Sequence, residues 1–174
     1  FTARSVGRLD RDTSGLVLFS LHELSACILA EQMRNREIHR EYRAICTGTL
    51  PEAGCICAPI ARAHDSTIER IVDDVRGEPA VTHFERLAVC NGFSLAAVRL
   101  ETGRTHQIRV HMKHIGHPLP GDFLYHPDYS RIARQALHSY KLSFLHPITK
   151  QPMVFTAPIP GDMQALLSDD AHTG

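Results

Sequence analysis

Residues 80–101 read AVTHFERLAVCNGFSLAAVRLE, two apolar-rich runs divided by Asn91-Gly92. Asn followed by Gly is the pair that best accepts the two positive φ angles of a two-residue hairpin turn. The stretch therefore predicts two antiparallel strands, 80–90 and 93–101. Downstream, Ile108, Met112 and Ile115 recur at i, i+4 and i+7 and form one apolar helix face, with Gly116 placed for a left-handed C-terminal cap. On the other side His106, Arg109 and Lys113 come together as a polar face. The tail predicts strands at 139–145 and 153–156 and a short helix at 162–168. Upstream, 16–21 is an apolar run following Gly15 and predicts a buried strand. Ser25 to Arg36 predicts a helix with apolar Ile28, Leu29 and Met33 and a basic last turn. Glu41 to Leu50 predicts a strand that stops at Pro51. The segment 51–79 carries the weakest periodic signal, and no element is assigned there. Hairpins outnumber crossovers, so the expected class is α+β, with a mixed, largely antiparallel β-sheet flanked by helices.

A chain of 174 residues fits one domain, because folding at this size buries roughly 70% of the surface an unfolded chain exposes. With 43% apolar and 22% charged residues, it has the composition of a soluble globular protein. No run approaches the about 18 apolar residues of a membrane span, and no signal peptide is visible. Five cysteines at irregular spacing (27, 46, 55, 57 and 90) suit free thiols in a reducing compartment, so a cytoplasmic location is expected. The formal charge is zero, so binding to a polyanion must rest on local patches. Arg34, Arg36, His39, Arg40 and Arg43 form one such cluster. Arg104, Arg109 and Lys113, with His106, His111 and His114, form another. The chain starts at Phe1 and enters its most distinctive motif within ten residues, so an upstream part is expected to be missing.

That motif is GRLDRDTSG, 7–15. Asp10 stands between Arg8 and Arg11 and is followed by Thr13, Ser14 and Gly15, turn-forming residues whose hydroxyls and backbone can fix a loop. A fixed loop can aim a carboxylate. An Asp nucleophile must stay ionised while shielded from water, and a nearby Arg can lower a carboxyl pKa by about 1 to 3 units. Arg109 is placed to supply that partner. Taken alone, the motif is better read as a simple turn with Asp10 as a helix or turn cap.

Three blocks, VGRLDRDTSGLVLFS, REYRAICTGTLP and LETGRTHQIRVHMKHIGHPLPGD, with a fourth in ALHSYKLSFLHPITKQPMVFTAP, resemble the RluA-type pseudouridine synthases. They lie in that family's order and run from residue 6 to residue 158. The resemblance implies the pseudouridine synthase fold, with 174 residues forming a catalytic domain that lacks its N-terminal part. It also implies conversion of uridine to pseudouridine in ribosomal RNA or tRNA without a cofactor or metal. RNA is the expected partner, with no membrane association, no obligate protein partner and a monomeric state. On matching positions, Asp10 corresponds to the catalytic aspartate, Tyr42 to the active-site tyrosine, Arg109 to the basic residue paired with the aspartate, and Arg8 to an arginine that contacts RNA. Two positions depart from the pattern: Gly7 stands where His is common, and Arg40 where Lys is common. The absent upstream portion would include a Lys-Pro motif, and often an S4-type RNA-binding domain.

Three rival readings stand beside this one. Asp10-Arg11-Asp12-Thr13 also fits the D-x-D-x-T motif of haloacid-dehalogenase-like phosphatases, whose first Asp ends a buried parallel strand; the residues before Asp10 are too polar for that. His111, His114 and His117 could form a metal site, but Gly116 interrupts the helix before the third, and Cys55 and Cys57 lack the second half of a zinc motif. A non-catalytic RNA-binding module would explain the basic patches without a reactive Asp10.

Overall fold

A computed structural model describes residues 3–168. Strand β1 (Arg4–Val6) leads through the Asp10 loop into β2 (Ser14–Gly15) and β3 (Leu18–Ser20). Helix α1 (Glu23–Arg34) follows, then β4 (His39–Thr47), β5 (Ala53–Cys57), β6 (Ile60–Arg62) and β7 (Arg70–Val72). The hairpin β8 (Val81–Cys90) and β9 (Phe93–Leu100) precedes α2 (Gln107–His114). The chain closes with β10 (Leu137–Leu145), β11 (Pro152–Thr156) and α3 (Gly161–Leu167).

The main sheet runs β11-β10-β4-β9-β8-β5, with β2 added alongside β10. Every pairing along that path is antiparallel, and only β2 lies parallel to β10. The α+β expectation holds, and so does the hairpin: Asn91 (φ 54°) and Gly92 (φ 79°) both take positive φ, as a type I′ turn requires. Period-two alternation divides the two faces of the sheet. Tyr42, Ala44, Cys46, Ala96 and Val98 point toward Ile108 and Met112 of α2. Ile45 and Leu95 point the other way, to Met163 and Leu166 of α3. A third cluster, under α1, joins Leu29 and Ile38 to Leu142 and Phe144.

Two expectations change here. The apolar run at 16–21 is not a buried strand: only 18–20 is extended, it pairs with β1 outside the main sheet, and Phe19 and Leu21 are more than half exposed. The segment 51–79 holds three strands, two of which pair as the separate β6–β7 ribbon. Among the described residues no helix is long and apolar enough to cross a membrane.

Candidate functional site

The Asp10 loop is fastened at several points. Thr13 N–H donates to the Asp10 carbonyl at 3.1 Å, and Asp12 has φ 70°. Positive φ at the third residue is the mark of a type II turn, and Asp tolerates it better than most residues. Gln135, fully buried, donates its Nε2–H to the Arg11 carbonyl (2.5 Å) and the Thr13 hydroxyl (3.3 Å). Arg134 Nη1 donates to the Asp12 carbonyl (3.1 Å). Ser14 Oγ lies 2.8 Å from His138 Nδ1. The loop then enters the sheet as β2, where Gly15 has φ 110° and a Cβ would stand 2.2 Å from the Ser139 carbonyl oxygen. Only glycine fits that approach.

Strand register brings the loop to Tyr42. Ser139 on β10 pairs with Gly15 on one side and with Tyr42 on the other, so all three lie in one row across the sheet. Tyr42 is 7% exposed and packs in the main core. Burial is the first cause that pushes its hydroxyl above the ordinary phenol pKa. Arg40 acts downward on it, and Asp10 upward.

Helix α2 supplies Arg109, which the sequence placed on a polar face. It is instead 1% exposed, as one of six consecutive buried residues from Gln107 to Met112. The face opposite Ile108 and Met112 is covered by the segment after α2. Arg109 Nε donates to Asp122 Oδ2 (2.7 Å) and Nη2 to Asp122 Oδ1 (2.9 Å), a two-pronged pair in which Asp122 is equally buried. The remaining arm, Nη1, donates to Asp10 Oδ2 at 3.1 Å, and the Asp10 side chain is 25% exposed. Asp122 Oδ1 also accepts the backbone N–H groups of Leu124 and Tyr125. Burial works against the Arg109 charge, but Asp122 and Asp10 outweigh it and raise its pKa. The guanidinium carbon lies 5.0 Å from the Tyr125 ring centre and 5.6 Å from that of Phe123. One cation is thus clamped between a buried carboxylate behind it and a solvent-reaching carboxylate in front.

His106 flanks this group. It begins α2 with φ 57°, a left-handed conformation unusual for a residue with a side chain. Its Nδ1 lies 2.9 Å from the Tyr125 hydroxyl, which also accepts the Arg70 N–H at 2.9 Å. Burial pushes the Tyr125 phenol up to about 12. Burial first, then the charge of Arg109, holds the His106 imidazole below its ordinary value.

Arg8 is exposed and, among the described residues, has no hydrogen-bond or ion-pair partner. It borders the Asp10 loop without joining the cluster. The two basic clusters expected from sequence are altered. Arg43 is bound to Glu41 at 2.6 Å and stacked 3.9 Å over the Tyr140 ring, and Arg40 donates to the Val6 carbonyl. In the second cluster Arg109 and His111 are interior. His111 bridges Thr82 Oγ1 and the Ala58 carbonyl, each at 2.8 Å. Among the described residues no group of three His, Cys, Asp or Glu side chains could hold a metal ion. The phosphatase reading needs a buried parallel strand ahead of Asp10, and β1 is short, mostly exposed and antiparallel to β3.

Asp122, Tyr125 and Gln135 are the neighbours sequence reasoning missed, while His106 is the one it had already set beside Arg109 on the polar face. Asp122 ends the third motif block, and that placement was its only signal. A groove of about 890 Å³ along β5, β8 and β9 shares no residue with this cluster.

Residues 1–114 match the family model of RNA pseudouridylate synthases. The chain is 46% identical over 172 residues to the uncharacterized RNA pseudouridine synthase YjbO of Bacillus subtilis, covering 98% of this chain and 60% of that protein. It is 43% identical over 174 residues to ribosomal large subunit pseudouridine synthase D of Zymomonas mobilis, covering 92% of this chain and 54% of that protein. Human RNA Pseudouridylate Synthase Domain Containing 1 superposes with a TM-score of 0.82 at 25% identity, over 96% of this chain and 74% of the solved one. The chain thus spans between half and two thirds of the length of these two curated relatives. With the family model covering well over half of the residues, this chain belongs to the RNA pseudouridine synthase family.

Proposed function

We propose that this protein isomerises specific uridines in RNA to pseudouridine, with ribosomal RNA as the first substrate class to test and tRNA as the second, and with Asp10 as the catalytic carboxylate. The observation that carries the reading is the Arg109 Nη1 to Asp10 contact of 3.1 Å, backed by the buried Asp122 pair. A carboxylate that faces one fixed cation and still reaches solvent with a quarter of its side chain is equipped to meet an electron-poor carbon.

In the reaction the N1–C1′ glycosidic bond breaks, a C5–C1′ bond forms, and the proton on C5 is lost while N1 gains one. Asp10 has three available first steps: attack at C1′, addition at C6 of the base, or assistance to a glycal-forming departure of the base. All three use the ionised carboxylate, and Arg109 holds it in place. Tyr42, in the same row of the sheet, offers a flat ring for the uracil and a hydroxyl near the carbon that loses its proton. The nucleotide must leave its stack to reach Asp10, at a cost of a few kcal/mol. Arg8, exposed beside the loop, can occupy the vacated space or hold a phosphate. No cofactor enters these steps, and the proposal takes the enzyme to be cytoplasmic and monomeric.

The test is release of tritium from RNA labelled at uracil C5, with EDTA present, by the full-length protein. The expected result is release matched by pseudouridine in the product. Absence of release from both ribosomal RNA and tRNA would support the RNA-binding module instead.

A further inference from the structure

The β6–β7 ribbon lies against α2 and, with residues 103–105, forms a groove of about 460 Å³ that holds Arg62, Arg70, Arg76 and Arg104. These four arginines come from three separate stretches of chain, two of them inside the segment that showed no periodic signal. The groove shares a wall with the Asp10 site. Arg70 N–H donates to the Tyr125 hydroxyl at 2.9 Å, the Tyr125 ring packs 5.0 Å from the Arg109 guanidinium carbon, and Thr105 in the groove directly precedes His106.

Charge is not balanced within the groove. Arg104 pairs with Glu78 (2.5 Å) and Arg76 with Asp73 (2.5 Å). Arg70 donates only to the backbone carbonyls of Ile68 and Glu69. Arg62 is exposed and, among the described residues, has no partner. Two guanidinia therefore face the groove with no carboxylate on them. Elsewhere around the site, Arg109 is interior, Arg43 is held by Glu41 and Tyr140, and Arg40 by the Val6 carbonyl, while exposed Arg8 borders the Asp10 loop unpaired among the described residues. A guanidinium that is fixed at one end and free at the other suits phosphate oxygens.

We propose that this groove binds the RNA backbone, with Arg62 and Arg70 as the principal phosphate contacts, and so carries the strand flanking the nucleotide presented to Asp10. The proposal rests on the pseudouridine synthase reading. It also assigns a role to the paired arginines: Glu78 shields Arg104 until a phosphate replaces it.

Equilibrium binding of a ribosomal RNA fragment to the full-length protein, over a series of salt concentrations, tests this. Each phosphate contact removed from an RNA site lowers the slope of log K against log salt by about 0.7 to 0.9. Arg62→Gln combined with Arg70→Gln is expected to flatten that slope by about 1.5 and to weaken binding by roughly tenfold near 0.1 M salt. Glu78→Gln, which frees Arg104, is expected to tighten binding. Lys150→Asn, in the turn after β10, leaves binding unchanged and controls for diffuse attraction. An unaltered slope in the double variant, or an equal loss in Lys150→Asn, overturns the proposal. Tritium release by the wild-type protein is measured on the same RNA, so that a failure of the enzymatic reading appears there and not in the variants.

Discussion

Arg109 holds Asp122 with two arms of its guanidinium, at 2.7 and 2.9 Å, and offers the third to Asp10 at 3.1 Å. The two carboxylates are not equivalent. Asp122 is buried and accepts two backbone N–H groups as well, whereas a quarter of the Asp10 side chain reaches solvent. Under the proposed function, Asp122 would position Arg109, and Asp10 would be the carboxylate that reacts.

That asymmetry predicts opposite responses to the same chemical change. Asp122→Asn leaves the buried Arg109 charge without its counter-ion, and breaking a buried pair costs about 3–5 kcal/mol. Asp10→Asn keeps the Arg109–Asp122 pair and is expected to shift stability by about 1 kcal/mol or less. Urea unfolding of the two variants beside wild type checks this; equal losses would show that Arg109 does not depend on Asp122.

Tyr42→Phe retains the ring in the core and removes the hydroxyl. If the hydroxyl assists loss of the C5 proton, tritium release falls by about 10²-fold or more, while the melting temperature stays within a few degrees. A Tyr42→Phe variant with wild-type release would confine Tyr42 to packing.

Gly15→Ala tests how the loop is aimed. The added methyl meets the Ser139 carbonyl oxygen at 2.2 Å, at a φ of 110°, so the β2–β10 pairing must open and carry the Asp10 turn with it. Expected outcomes are a stability loss of at least about 1–3 kcal/mol and a larger proportional loss of rate than of RNA affinity. Wild-type activity in this variant would show that the loop is not positioned through β2.

Acid should destabilise the fold by a route that includes His111. Its pKa lies below the ordinary 6.5, because burial is the largest effect; the Ala58 carbonyl opposes this and His114 adds to it. A depressed folded pKa means that the unfolded chain binds the proton more readily, so stability is complete above about pH 6.5 and declines as pH falls through the folded value. Melting temperatures between pH 8 and pH 5 are expected to drop, and His111→Asn is expected to melt lower throughout with a shallower pH slope. Parallel slopes would remove His111 from the account.

Parts of this were legible in the sequence because the signal was local. Asn91-Gly92 specifies its own turn, and Ile108 with Met112 specifies a buried helix face. Asp10, Tyr42 and Arg109 were named through motif blocks, and the register through Ser139 is what brings the first two together. Other features depend on distant partners. Helix periodicity put Arg109 opposite the apolar face, which usually means solvent, but the chain after α2 returns to cover that side. Asp122, thirteen residues on, is a partner that no spacing rule connects to Arg109. The run at 16–21 was apolar enough for a buried strand, yet β3 lies outside the main sheet, where Phe19 and Leu21 face outward. The ribbon at 60–72 is short and held by long-range contacts, so its arginines could not be placed together beforehand.

The claim that Asp10 is the reacting group is tested most directly by single-turnover tritium release from C5-labelled RNA at saturating concentration, comparing wild type with Asp10→Asn after confirming that the variant melts like wild type. The account predicts a rate loss of at least about 10³-fold, equivalent to about 4 kcal/mol of transition-state stabilisation. Release by folded Asp10→Asn within about tenfold of wild type, the equivalent of about 1.4 kcal/mol, would contradict it.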